Sequence, residues 1–385
     1  MKVLIIRNYP SYMSVKNNTY NIQEVGLAKA LIRNGHQCDV LFWTNGTEQD
    51  VEIEVNDKDK LMIFYRRGIT SLKNTIFINC HELFEKYDIL QPCEYNQIQA
   101  WILAKNYAHK VVIYHGPYYS KYNKKYNIAC AIFDLFFLRR YKKYNTTFIT
   151  KSEKAKEFLG KKGIKEKNIT SVGVGVDLQM LLTNQQCKEL VYLNMKKNKS
   201  ALKILYVGKL EERRDVTFVL KVFSKVKERY NNSFLYIIGN GEEKYTNEIK
   251  KVIDDLDLSK NIFWQEKCEQ KYLSDVYKLA DFFVLPTEYE IFGMVLLEAM
   301  LYGTVVLTTS NGGSCTLIQN KKNGFILNQK DANEWANTIC ELWSNKEVMK
   351  KVQDLATSTI EAGYTWDKIV PLVLNVYNEK IKMCR

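Results

Sequence analysis

One pattern constrains this chain more than any other. Short apolar runs alternate with amphipathic helical stretches, and the alternation runs through twice. KVLII at 2–6 reads as a strand buried on both faces. A polar loop follows, then apolar residues at helical spacing (Ile22, Val25, Leu27, Ala28, Leu31, Ile32), closed by Asn34-Gly35. Residues 36–42 restart a strand, which completes a β-α-β unit. Further strands are predicted at 61–65, 76–79, 87–90, 110–114 and 146–150. Residues 180–202 are polar and rich in Lys and Asn. The rhythm then restarts, with strands at 203–207, 234–238, 261–264, 281–285, 304–308 and 324–327. Helices are predicted at 215–229, 243–256, 270–279 and 293–302, and 331–385 reads as helical. The expectation is an α/β protein of two doubly wound, Rossmann-like domains facing a cleft. The boundaries are 1–185, a linker at 186–202, a second domain at 203–365, and a helix at 366–385 that packs back on the first. In such sheets ligands bind beyond the carboxyl ends of the strands.

Composition narrows the class. Apolar residues are 46% and charged residues 26% of 385, which excludes a disordered chain. No apolar run is long enough to span a bilayer. MKVLIIRNYP is too short in apolar length for a secretory signal and reads as a first strand, so a cytoplasmic location is expected. The nine cysteines are scattered without a C-x-x-C pair or a His at zinc-finger spacing, which predicts free thiols and no metal site. Asp57-Lys58-Asp59 is a D-x-D, but it lies in a charged stretch and reads as a solvated loop. The net charge of +13 is concentrated: residues 105–167 hold 16 Lys and Arg against 4 Asp and Glu. That surplus suggests an anionic partner for one face.

Candidate chemistry collects at the predicted strand ends. Glu290 and Glu298 flank the start of a helix after DFFVLP. Phe292, Gly293, Met294 and Val295 open that helix, whose free N–H groups offer an anion site. A capping Glu and an exposed helical Glu would produce the same spacing. Gly208, Lys209, Arg213 and Arg214 follow KILYV. There, cations could neutralise a diphosphate, or simply pair with Glu211 and Glu212 in solvent. IIGNGEE places Gly239 and Gly241 in a strand-to-helix turn that lacks the third glycine of a dinucleotide fingerprint. Gly312-Gly313 follow another strand. His115, after VVIY, could bond a sugar hydroxyl from a strand end or serve as a structural histidine.

Together these segments resemble the retaining glycosyltransferases of family four, which have the GT-B fold. The resemblance rests on VGKLEERRDVTFVLKVF, IIGNGEE, LADFFVLPTEYEIFGMVLLEAMLYGTVVLTT, NGG and NGFIL, and more weakly on GLAKALIRNGHQCDVL, YHG and SVGVGVD. It covers roughly residues 1–370. It implies a hexosyltransferase that uses a nucleotide diphosphate sugar, with a glycan or lipid-linked acceptor, in cell-surface polysaccharide or glycolipid synthesis. Glu290 would bond the donor sugar, Glu298 the ribose, and Lys209 and Arg214 the diphosphate. The backbone at 293–295 would cradle phosphate, with Gly208, Gly239 and Gly241 also on the donor side. His115 would lie near the reacting carbon. No metal or other cofactor is implied. Asn17-Asn18 stand where the family has a glycine pair near donor phosphate and acceptor. Asp215, Gln265, Thr304 and Thr316 depart from Gly, Gly, Pro and Glu respectively.

The basic region contains apolar residues at helical spacing (Ile128, Ala131, Ile132, Leu135, Phe136, Leu138), followed by Arg139, Arg140, Lys142 and Lys143. This is either an ordinary core helix with cations at its C-terminus or a basic amphipathic helix on anionic lipid at the inner face of the membrane. No nucleic-acid motif accompanies it. The competing functions are an epimerase or phosphorylase of the same fold, and a non-catalytic protein that binds membrane or nucleic acid.

Overall fold

The computed structural model describes residues 1–9, 22–178 and 186–382. Asn17 and Asn18 lie outside the described residues. The chain divides into two units, Met1–Asp177 with Thr365–Arg385, and Leu178–Tyr364.

In the N-terminal unit the strands are β1 (Lys2–Ile6), β2 (Gln37–Trp43), β3 (Gln49–Glu54), β4 (Lys60–Arg66), β5 (Gly68–Ser71), β6 (Asn74–Phe77), β7 (Ile89–Pro92), β8 (Val112–His115), β9 (Thr147–Thr150) and β10 (Ile169–Ser171). The first sheet has the order β3-β4-β2-β1-β7, and β8, β9 and β10 form a second. Parallel bridges Leu90–Val111 and Cys93–Tyr114 join β7 to β8. The order reverses at β1/β7, so the ends of those strands form a switch point. Val3, Leu4, Ile5 and Ile6 are fully buried, as a parallel strand covered on both faces requires. Strand β3 had no counterpart in the sequence reading. It is an antiparallel edge strand, QDVEIE, with charges exposed toward solvent, and its hairpin turn holds the D-x-D. There Asn56 Oδ1 accepts the backbone N–H groups of Lys58 and Asp59.

Helix Trp366–Lys382 belongs to this unit. Its Trp366 ring lies on two glycines: a Cβ on Gly26 would come within 2.2 Å of it, and one on Gly175 within 2.6 Å. Arg33 Nε pairs with Asp367 at 3.0 Å and Arg33 Nη1 with Asp177 at 3.6 Å. The SVGVGVD motif thus serves as a seat for the returning helix.

In the second unit β11 (Leu202–Val207), β12 (Ser233–Ile238), β13 (Ile262–Gln265), β14 (Phe282–Leu285), β15 (Val305–Thr308) and β16 (Phe325–Ile326) form one parallel sheet, in the order β13-β12-β11-β14-β15-β16. Its switch point lies between β11 and β14. The segment 186–202, expected as a linker, contains helix Leu190–Lys197 and packs into this unit. Its Lys and Asn residues give the segment the composition of a linker. Val191 and Met195, one turn apart, bury one face, and Gln265 Oε1 accepts the Val191 N–H at 3.0 Å.

Asp215 shows how one departure from the family pattern is accommodated. It sits in the left-handed region (φ 48, ψ 58), where glycine is the easy choice, and Asp is among the few other residues that tolerate it. It also caps helix Val216–Arg229 by accepting the Phe218 N–H at 3.1 Å.

Candidate active site

At the β11/β14 switch point the loop after β11 carries cations and the loop after β14 carries a carboxylate. Glu290 Oε1 takes Arg214 Nη2 at 2.7 Å and Arg213 Nη1 at 3.3 Å. Glu211 Oε1 holds the other side of the pair, at 2.6 Å from Arg213 Nη2 and 3.5 Å from Arg214 Nε. Arg213 also donates to the Tyr289 carbonyl. Burial works against the Arg214 charge, but Glu290, Tyr206 and Glu211 together raise its pKa. Arg214 is therefore a fixed cation in a mostly buried setting.

Glu290 is followed by Phe292 and Gly293, and Gly293 (φ +76) begins helix Met294–Leu301 without any side-chain cap. Met294 and Val295 are half-exposed at that helix start. A positive helix end thus lies within a few residues of the Glu290–arginine cluster. Glu298, two turns on, does not lie on an exposed helical face. It is buried, and its carboxylate accepts from Gln270 Nε2 at 3.2 Å and Tyr277 Oη at 3.1 Å.

Lys209 is exposed and lines a cavity of about 740 Å³ with Asn240, Gly241, Trp264 and Glu266. Its own carbonyl accepts the Tyr206 hydroxyl at 2.9 Å, which fixes the loop. Gly239 and Gly241 serve backbone packing. A Cβ on Gly239 would stand 1.9 Å from the Gly208 carbonyl oxygen, and one on Gly241 2.1 Å from that of Leu210. The G-x-G therefore seats the 208–214 loop against β12. A Gly239→Ala variant is expected to lose about 1–3 kcal/mol by overpacking, because backbone must move to admit the methyl group. A thermal-unfolding midpoint equal to wild type would contradict this close approach.

In the N-terminal unit His115 ends β8 and is 0% exposed. Its ring stacks on Phe158 at 5.5 Å and takes the edge of Tyr95 at 5.1 Å. Nδ1 lies 2.8 Å from Glu94 Oε2, which also accepts the Gly116 N–H at 3.0 Å. Lys151 Nζ reaches the other Glu94 oxygen at 3.4 Å. Burial alone would raise the Glu94 carboxyl. Lys151, the His115 contact and the Gly116 N–H outweigh it and hold the group down at about 2. An ionised carboxylate only accepts, so Nδ1 carries the ring proton. The 3.5 Å approach of the Tyr95 N–H to the same nitrogen is too long to compete. Nε2 is buried without a hydrogen-bond partner, so the ring is only half satisfied as a structural histidine.

Glu94 and Lys151 belong to no motif in the sequence, whereas Arg213 was expected with Lys209 and Arg214 as a cation for a diphosphate or a partner of Glu211. Glu94 lies two residues beyond β7 with φ 62, in no motif. Its position at the end of β7, beside the order reversal, emerges only once strand order is known. Among the described residues no group of three or more His, Cys, Asp or Glu is placed to hold a metal ion.

Two switch-point sheets, the second with paired guanidiniums and an uncapped helix start at its reversal, define the architecture of a GT-B glycosyltransferase. The family model described as "Glycosyl transferases group 1" matches residues 194–362, and that described as "Glycosyltransferase Family 4" matches residues 25–180. The chain belongs to this family of group 1, family-four glycosyltransferases. It is 28% identical over 180 residues to an uncharacterized glycosyltransferase of Methanocaldococcus jannaschii, 47% of this chain and 45% of that one. The chain thus spans about half the length of the curated relatives it matches. In fold it is similar to a glycosyltransferase from Rickettsia africae, with TM-score 0.74 and 19% identity over 99% of both chains. It is also similar to Anabaena HepE in complex with UDP, with TM-score 0.71 and 13% identity over 98% of this chain and 100% of that one.

Proposed function

We propose that the protein is a retaining hexosyltransferase that takes its sugar from a nucleotide diphosphate donor. The Arg213–Arg214–Glu290 cluster beside the uncapped start of helix Met294–Leu301 supports this reading most strongly. A sugar diphosphate presents two negative groups, and this cluster offers guanidinium forks and free helix N–H groups to meet them. Arg214 and Lys209 would hold the diphosphate, and Gly293, Met294 and Val295 would cradle it. Glu290 would accept from the sugar hydroxyls and Glu298 from the ribose. The cavity at Lys209, Asn240, Gly241 and Trp264 has room for the nucleoside part of such a donor. UDP in the HepE structure supports a uridine donor as the first to try.

Bond breaking at the anomeric carbon leaves negative charge on the departing diphosphate. Fixed cations stabilise that charge without reorganising, and such electrostatic terms are usually the largest in catalysis. The departing phosphate oxygen would take the acceptor proton on the same face, so that configuration is retained without a dedicated protein base. His115, with Nε2 as its remaining polar atom, is assigned to the sugar. Because the ring is fully buried, a hydroxyl meets Nε2 only after its cover shifts.

The acceptor belongs to the N-terminal unit, where the charge surplus favours an anionic glycan or a lipid-linked acceptor on an anionic bilayer. That suits surface polysaccharide or glycolipid synthesis at the inner face of the membrane. No helix among the described residues is long and apolar enough to cross a bilayer.

Because guanidinium and ammonium groups fill the charge-neutralising role, transfer should continue in excess EDTA. Complete loss that added metal restores would contradict the metal-independent assignment. The anomeric proton coupling in the product tests retention, and an inverted product would remove the same-face mechanism.

A further inference from the structure

Helix Lys124–Phe136 of the N-terminal unit turns its apolar side outward. Only Cys130 and Phe133 are buried. Ile128, Ile132, Leu135 and Phe136 are 62%, 56%, 73% and 68% exposed. They follow one another at helical neighbour spacing and form one stripe over about two and a half turns, with exposed Ala129 and Ala131 between them. The core-helix expectation does not describe this, whereas a basic amphipathic helix does. A core helix would bury the stripe. The helix's single acidic residue, Asp134, points inward. It pairs with buried Lys162 and accepts from the Tyr95 hydroxyl at 3.3 Å.

The rim of the stripe is cationic. Exposed Lys121, Lys124 and Lys125 stand at one end, and exposed Arg139, Lys142 and Lys143 at the other. Arg140 is held over the Trp101 ring at 4.7 Å and contributes less to the open surface. Asp134 is the only acidic residue between 116 and 150. Four large apolar side chains aligned in solvent mark an interaction site.

We infer that helix Lys124–Phe136 is a membrane-insertion surface. Its stripe would enter the headgroup–acyl boundary of an anionic phospholipid bilayer, and its flanking lysines and arginines would meet the lipid phosphates. This rests on the reading of the protein as a transferase working at a membrane, and it names the side chains that bring it there. Charge complementarity selects the occupant. A second copy across a two-fold would set cationic rim against cationic rim, whereas anionic lipid is attracted by all six flanking cations.

The test uses the full chain with vesicles of phosphatidylcholine, alone or with phosphatidylglycerol. Sedimentation should bring the protein down with the anionic vesicles and weaken as salt rises. Leu135→Ser with Phe136→Ser leaves the charge unchanged, so any loss reads insertion. The paired variant should bind anionic vesicles at least about tenfold more weakly, with unaltered circular dichroism and unaltered donor hydrolysis in vesicle-free buffer. Equal binding by wild type and the paired variant would overturn insertion. Equal recovery from both vesicle types would overturn the anionic bilayer. A wild-type dimer that becomes monomeric in the paired variant would assign the stripe to self-association. Donor hydrolysis is measured without vesicles, so failure here leaves the transferase reading standing, and loss of hydrolysis in the wild type sinks that reading separately.

Discussion

Arg214→Ala should lower turnover about a hundred- to thousandfold while the fold survives, because removing one stabiliser of developing negative charge typically costs about 2.7–4 kcal/mol. Arg214 is mostly buried and lies 2.7 Å from Glu290, at the strand end where the family's donor diphosphate is expected. Arg213 still pairs with Glu290 in the variant, so the carboxylate is not left without a cation. Stability should therefore fall far less than rate. Arg214→Lys restores a point charge but not the fork and should recover only part of the loss. Steady-state kinetics with a saturating sugar nucleotide reads this, and a kcat within threefold of wild type would remove Arg214 from the chemistry. Lys209→Ala should act in the same direction. Lys209 is solvent-exposed and lines the cavity with Asn240 and Trp264, so more of its effect should appear in KM.

The second large effect lies in the other unit. Glu94→Gln should destabilise the protein by about 3–5 kcal/mol, because it leaves Lys151 buried with no ionised partner at this position. The pH dependence has a definite sign. The folded carboxyl is held at about 2, below its unfolded value of roughly 4.3, so its contribution is fully present above that unfolded value. It is lost as pH falls toward 2. The gap in unfolding free energy between wild type and variant should be flat from pH 5 upward and should shrink on acidification. A gap that widens toward low pH would contradict an ionised, salt-bridged Glu94. A loss of sugar transfer beyond the loss of folded protein would show that Glu94 also fixes the His115 tautomer.

How far these features could be read in the sequence depends on where their signal lies. FFVL and LKILYV are apolar on both faces because both faces are covered, so β14 and β11 were legible, and with them the loops that carry Glu290 and Arg214. β3 was not, because an edge strand with Asp and Glu on its open side has no continuous apolar run. Helix Leu190–Lys197 was hidden by the Lys- and Asn-rich segment that contains it, since only Val191 and Met195 among its residues are buried. The spacing of Glu290 and Glu298 was visible. That Glu298 is buried against Tyr277 and Gln270 was not, because both partners come from helix Gln270–Leu279. Ile128 to Phe136 has the periodicity of a core helix, and only the packed fold shows which side faces out. Glu94 reaches His115 across 21 positions, through the adjacency of β7 and β8, which no local pattern encodes.

The central claim is that the β11/β14 switch point of the second unit activates a nucleotide diphosphate sugar. Release of nucleoside diphosphate from a panel of sugar nucleotides, without acceptor and in EDTA, tests it most directly. The account predicts slow release from at least one donor by the wild-type chain, and release reduced at least about a hundredfold by Arg214→Ala. No release from any donor, or equal release by wild type and Arg214→Ala, would contradict it.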